Sequence, residues 1–107
     1  MVYEDGLAVN LTYGIMRARY RDGYDNPKLL KLNEPFEYTI KLNPIGCLLK
    51  PGQRLRLYVS SSDFPNFDRN HNNGQDYWSD SDLRVAHQQV FHSVDRPSHI
   101  LLPVIPN

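Results

Sequence analysis

The sequence holds a single cysteine, Cys47, in 107 residues. An internal disulfide is therefore impossible, and nothing beside this thiol resembles a catalytic cysteine setting. Excess charge of either sign is also missing: Lys plus Arg and Asp plus Glu number 12 each, for a formal net charge of zero. That balance gives no electrostatic case for nucleic acid or an anionic membrane as partner. No apolar run approaches the roughly 20 residues that a membrane helix needs. The opening residues Met1-Val2-Tyr3-Glu4-Asp5-Gly6 have neither a basic nor an apolar stretch. No secretory leader is visible, and a cytoplasmic location is expected. Internal repeats and low-complexity tracts are lacking too.

Turn formers and aromatic rings are plentiful instead. Eight Pro and six Gly divide the chain into short segments, with seven Tyr and four Phe between them. That is the composition of strands joined by turns within one small domain. In Arg54–Ser60, Leu55, Leu57 and Val59 alternate with Arg56 and Tyr58, the pattern of a half-buried strand. Pro51-Gly52 ahead of it reads as a turn. Phe36, Tyr38, Ile40 and Leu42 alternate with Glu37, Thr39 and Lys41 in the same way, and Asn43-Pro44 closes that run. In residues 15–21, Met16, Ala18 and Tyr20 oppose Arg17, Arg19 and Arg21. A helix is open there on propensity, but Gly14 before it and Asp22-Gly23 after it favour a strand. Residues 83–92 and 98–105 are two further strand candidates, separated by Asp95-Arg96-Pro97. Five or six such strands, with turns every 8–12 residues or so, predict a β-sandwich or jelly roll.

Residues 61–82 form a long polar stretch that contains or adjoins Phe64, Phe67, Tyr77 and Trp78. A loop of about 20 residues is unusual in a small domain, and loops of that length tend to be functional or to pack on something else. Apolar rings on a polar loop need a surface to bury them.

Catalytic and metal-binding patterns do not close in this sequence. No glycine pair frames a serine as Gly-x-Ser-x-Gly, so the nucleophile elbow of an α/β-hydrolase is not here. Ser60-Ser61-Ser62 reads as strand-end hydroxyls bonded to backbone. His87 and His92, five apart, point to opposite faces of a strand, and HxH or HxxxH spacings do not occur among His71, His87, His92 and His99. Asp68, Asn70 and Asn72 imitate the start of a calcium loop, but Asn73 stands where glycine is required and Ser79 where the bidentate Glu belongs. A calcium site of another kind, using Asp76, Asp80 or Asp82, stays open; the simpler reading is a turn-rich loop. No cofactor, metal ligand set or catalytic residue is assigned. Asn10-Leu11-Thr12 is a glycosylation sequon. Arg17, Arg19, Arg54 and Arg56 lie on polar strand faces, solvated or at an interface.

Several stretches, in order along nearly the whole chain, resemble one family. They are Asp5-Gly6 with residues 10–21 (NLTYGIMRARYR), Lys50–Leu57 (KPGQRLRL), Ser60–Asn70 (SSSDFPNFDRN) with Asn73-Gly74, and a tail running from Ala86-His87-Gln88 through Pro97-Ser98-His99 to Leu102-Pro103. They are similar to segments of the acyl esterases and acylases grouped with cocaine esterase, glutaryl-7-aminocephalosporanic acid acylase and α-amino-acid ester hydrolase. Gln53, Asn66 and Asn73 depart from the usual His, Arg and Thr. The resemblance implies a C-terminal jelly roll of the galactose-binding-like type, shared with X-Pro dipeptidyl peptidases, with Met1 falling inside the roll and its first strands lacking. It places the catalytic triad in a separate α/β-hydrolase domain, so residues 1–107 carry no catalytic position.

The expectation is thus a non-catalytic domain that packs on its parent's α/β-hydrolase domain and helps shape the substrate cleft. Phe64, Pro65, Phe67, Asp68, Arg69 and Asn70, with Tyr77 and Trp78, are the expected contact, set against closure of the domain's own core by the same rings. A homo-oligomer through exposed strand edges is a further expectation. The alternative function is an independent carbohydrate-binding jelly roll, with Tyr24, Tyr77 and Trp78 stacking on sugars.

Overall fold

The computed structural model describes residues 1–76, 78–79 and 81–105. Within them regular structure is sparse and almost wholly non-helical. It consists of one 3-10 turn, Ala18–Tyr20, and an antiparallel pair, β1 (His92–Ser93) with β2 (Arg96–Pro97). Such a chain is compatible with an all-β class. It divides into two units, Met1–Asp63 and Phe64–Asn107.

In the first unit, the N-terminal residues fold back on themselves. Tyr3 N–H donates to Leu7 C=O at 2.9 Å and Val9 N–H to Met1 C=O at 2.8 Å. Asp5 accepts from Leu7 N–H at 2.9 Å, an Asx turn that lets Gly6 take φ 89°. Val2 lies between this hairpin and Arg54, exchanging both backbone hydrogen bonds with it at 2.8 and 2.9 Å. At 3 % exposed, Val2 is the one buried hydrophobic side chain among the described residues. A second junction joins residues 12–14 to 41–43. Thr12 Oγ1 donates to Asn43 C=O at 2.7 Å, and Asn43 N–H donates to Tyr13 C=O at 3.1 Å. Gly14 is required there, because a Cβ would run into the Lys41 carbonyl.

Two expected strands take other forms. Residues 15–21 turn at Ala18–Tyr20 instead of running straight. The reason lies downstream: Arg21 Nη1 donates to Ala18 C=O at 3.0 Å and to Lys28 C=O at 2.8 Å, while Lys28 N–H donates to Arg19 C=O at 2.8 Å. These bonds curl the chain around Asp22-Gly23. In the second unit the hairpin sits where a separator was expected. β2 contains Arg96 and Pro97, paired with Ser93 and His92 across a two-residue connection, Val94-Asp95. Asp95 is held below the usual carboxylate range, first by a hydrogen bond from Ser93 and then by its own backbone, with Arg96 adding a smaller share. In Arg54–Ser60 only Arg54 is bridged, and Leu55, Leu57 and Val59 are exposed. Alternation records which side of a strand seeks cover; it does not supply the neighbouring strand.

Candidate functional site

The loop of the second unit is built from side chains bonded to its own backbone. Asn70 Oδ1 accepts from Asn72 N–H at 3.1 Å, and Asn72 adopts φ 58°, a left-handed conformation that Asn tolerates better than most residues. The Asn72 side-chain amide donates to Arg84 C=O at 2.9 Å, and Arg84 N–H returns a bond to His71 C=O at 3.0 Å. Asn73 Nδ2 donates to Asp82 C=O at 2.9 Å, and its Oδ1 accepts from Gln75 N–H at 3.0 Å. Residues 70–75 are thereby pinned to 82–84.

Beside this base, Phe64 precedes Pro65 through a cis peptide bond, and the Arg69 guanidinium lies 4.8 Å from the Phe64 ring centroid. Phe64 is 58 % exposed and Trp78 92 % exposed. Phe67 is half-buried; Pro65, Asp68, Arg69 and Asn70 are exposed. Tyr77 lies outside the described residues. The loop presents rings, a cation and amides. Among the described residues no three His, Cys, Asp or Glu side chains come together to hold a metal ion. Ser60 Oγ donates to Ser62 C=O at 2.9 Å and accepts from Ser62 N–H at 3.3 Å, a local turn. His99 Nδ1 lies 2.8 Å from the Pro97 carbonyl, a bond made by the tautomer protonated on that nitrogen.

The first unit contains a cleft of 420 Å³ between residues 15–24 and 39–41. Ile15 and Ile40 are apolar parts of its wall, and Tyr20, Tyr24, Arg17 and Lys41 bring rings and positive charge. The Tyr20 and Tyr24 rings stand 5.1 Å apart at 39°, a tilted pair and not a flat platform.

Residues 1–101 match the model of the X-Pro dipeptidyl-peptidase C-terminal non-catalytic domain. The chain belongs to that family. It is also 37 % identical over 106 residues to the cocaine esterase of Rhodococcus sp. (strain MB1 Bresler), a match covering 97 % of this chain and 18 % of that protein. The chain thus spans less than a fifth of the length of this curated relative. No solved structure matches it.

Sequence reasoning missed the cleft in this domain for a definable reason. Alternation put Arg17 and Tyr20 on opposite faces of a strand, whereas the turn at Ala18–Tyr20 brings them to one lining. The available signal was Asp22-Gly23, which marks a reversal close enough to curl the preceding residues. Among the described residues no helix is long and apolar enough to cross a membrane.

Proposed function

We propose that this chain is a jelly-roll domain which packs on the α/β-hydrolase domain of a serine hydrolase acting on ester or amide bonds, and helps shape its substrate cleft. The supporting observation is the exposed apolar row Leu55, Leu57 and Val59, which are 48, 59 and 65 % exposed. Complete burial of such side chains contributes about 1.5–3 kcal/mol each. At these exposures, covering the row would add about 2.5–5 kcal/mol, a sizeable share of a small domain's stability. A partner surface supplies that cover. The loop from Phe64 to Asn70, with Tyr77 and Trp78, provides a second contact, to which Phe64 and Trp78 bring exposed rings. Residues 1–107 contribute no reacting group in this reading.

The test uses the purified chain and the matching relative. The chain alone is expected to hydrolyse no p-nitrophenyl ester. Cocaine esterase lacking its own corresponding segment is expected to bind the chain and to regain thermal stability when it does. Turnover by the isolated chain, or failure to associate while both parts are folded, overturns the proposal.

A further inference from the structure

We propose that Asn73-Gly74 is a self-modification site, at which the loop of the second unit loses, once and irreversibly, a side-chain amide that pins it. The site is independent of the packing role proposed above. Of the chain's asparagines, Asn73 alone precedes a glycine. An asparagine amide is attacked by the backbone nitrogen of the following residue, and a side chain on that residue hinders the approach. Gly74 has none, and it holds a φ of 81° that other residues rarely adopt. Asn72 is the internal comparison. It stands in the same loop with its amide likewise bonded to a carbonyl, that of Arg84 at 2.9 Å, but the residue after it carries a side chain.

The reaction balances with water as the co-reactant. Gly74 N bonds to Asn73 Cγ and gives up its proton, the Cγ–Nδ2 bond breaks, and the amide nitrogen leaves as ammonia. Water then opens the resulting succinimide at either carbonyl, leaving an aspartyl or an isoaspartyl residue. Asn73 and Gly74 are half-buried, so water reaches them. The loop restrains the first step. Asn73 Nδ2 donates to Asp82 C=O at 2.9 Å while its Oδ1 accepts from Gln75 N–H at 3.0 Å, so both ends of the amide are held. Swinging Cγ onto the Gly74 nitrogen draws the amide off both partners, which requires the loop to open. The product does not close it again. A carboxylate only accepts, so an oxygen would face the Asp82 carbonyl where a donor stood. The isoaspartyl form also lengthens the main chain by one methylene, which displaces Gln75 N–H. Of the bonds described above between residues 70–75 and 82–84, those of Asn72 and His71 to Arg84 are left.

In the experiment the full chain is held in mildly alkaline buffer, native or in guanidinium chloride, and its tryptic peptides are followed by mass spectrometry. An amide-to-acid mass gain at position 73 is expected, with isoaspartate detected by enzymatic methylation, while Asn70 and Asn72 stay intact. Asp5-Gly6 and Asp22-Gly23 can close the same ring, but they lose and regain water, so their mass does not change. The native chain should convert at least about tenfold more slowly than the unfolded one, with Asn72→Ala in between. Asn73→Asp should speed exchange of the Arg84 amide about three- to tenfold, as should conversion of the native chain itself. Conversion of Asn70 or Asn72 as fast as Asn73, no conversion of the native chain, equal native and unfolded rates, or an unchanged Arg84 amide in Asn73→Asp each overturns the proposal.

Discussion

Replacing Gly14 by alanine isolates the contact that joins residues 12–14 to 41–43. The added Cβ would collide with the Lys41 carbonyl oxygen and come within 3.0 Å of its carbonyl carbon and 3.1 Å of Ile40 Cγ2. Two of these three atoms are backbone, so relief requires the strips to separate. Overpacking of this kind costs about 1–3 kcal/mol. Separation also loosens the Asn43 N–H to Tyr13 C=O bond, already 3.1 Å long, and the Thr12 to Asn43 bond at 2.7 Å. A typical intramolecular hydrogen bond contributes about 0.5–1.5 kcal/mol, so losing one of them brings the total to roughly 1.5–4.5 kcal/mol. The comparison is Gly46→Ala, where a Cβ meets nothing within 4 Å. That variant should be neutral, or gain up to about 1 kcal/mol through the unfolded chain. Urea unfolding should be followed by tyrosine absorbance, because six of the seven tyrosines precede residue 60 whereas the lone tryptophan, Trp78, is in the other unit. A Gly14→Ala midpoint indistinguishable from that of Gly46→Ala would refute the close approach of the two strips.

Asn72 combines a left-handed backbone with a side-chain bond to Arg84, so Asn72→Ala should destabilise the loop by about 1–3 kcal/mol, and Asn72→Gly by less; hydrogen exchange at the Arg84 amide checks the order. Asp22 is depressed first by its hydrogen bond from Lys28, then by the Lys28 and Arg21 charges. Its stabilising contribution is present above the unfolded-state pKa and disappears as pH falls through the lower folded value; in Lys28→Met, a carboxyl-carbon NMR titration should move its midpoint upward. Arg69→Ala removes the cation from the Phe64 ring and should loosen the loop by about 0.5–1 kcal/mol, read as faster exchange of the amides near Phe64. Phe64→Asp should leave the chain folded yet weaken its association with the truncated relative by at least about tenfold, since charge then replaces buried ring.

How much of this was legible in residues alone differs from place to place. The family was, because Phe64-Pro65-Asn66-Phe67-Asp68-Arg69-Asn70 is a specific string and the other segments stand on either side of it in the family's order. The scarcity of helix was legible from alternation and turn residues. The course of residues 15–28 was not. Its curl depends on Arg21 reaching the carbonyls of both Ala18 and Lys28, a tertiary bond that no period in the sequence announces. The hairpin of β1 and β2 was likewise hidden, because Val94-Asp95 lacks the Asn-Gly or Asp-Gly signature of a two-residue connection and Pro97 argues against a strand. Pro97 is tolerated because this pair is only two residues long on each side.

One arrangement recurs in both units and bears on how the surface works. Arg21 lies over Phe36, Arg56 over Tyr58, Arg69 over Phe64 and Arg96 over Phe91, with guanidinium-to-ring distances of 4.7, 5.8, 4.8 and 5.0 Å. A planar guanidinium is weakly hydrated and shields a ring while keeping its own charge in water. Arginine therefore serves here as a removable cover for rings that a small core cannot enclose. The cover acts differently at different places. Arg21 has two carbonyl bonds besides its ring, so displacing it breaks three contacts at once. Arg56 bonds the Tyr58 hydroxyl, 3.0 Å away on the side chain it already faces, and among the described residues has no carbonyl bond of the kind Arg21 makes. A partner approaching the first unit would meet a fixed cation at Arg21 and a yielding one at Arg56. Lysine at position 56 would keep the charge and lose the stacking, and should bare Tyr58 without disturbing the turn at Ala18–Tyr20. The zero net charge fits this role: the arginines are matched across the chain by acids, so the surface gains ring cover without becoming a general anion binder.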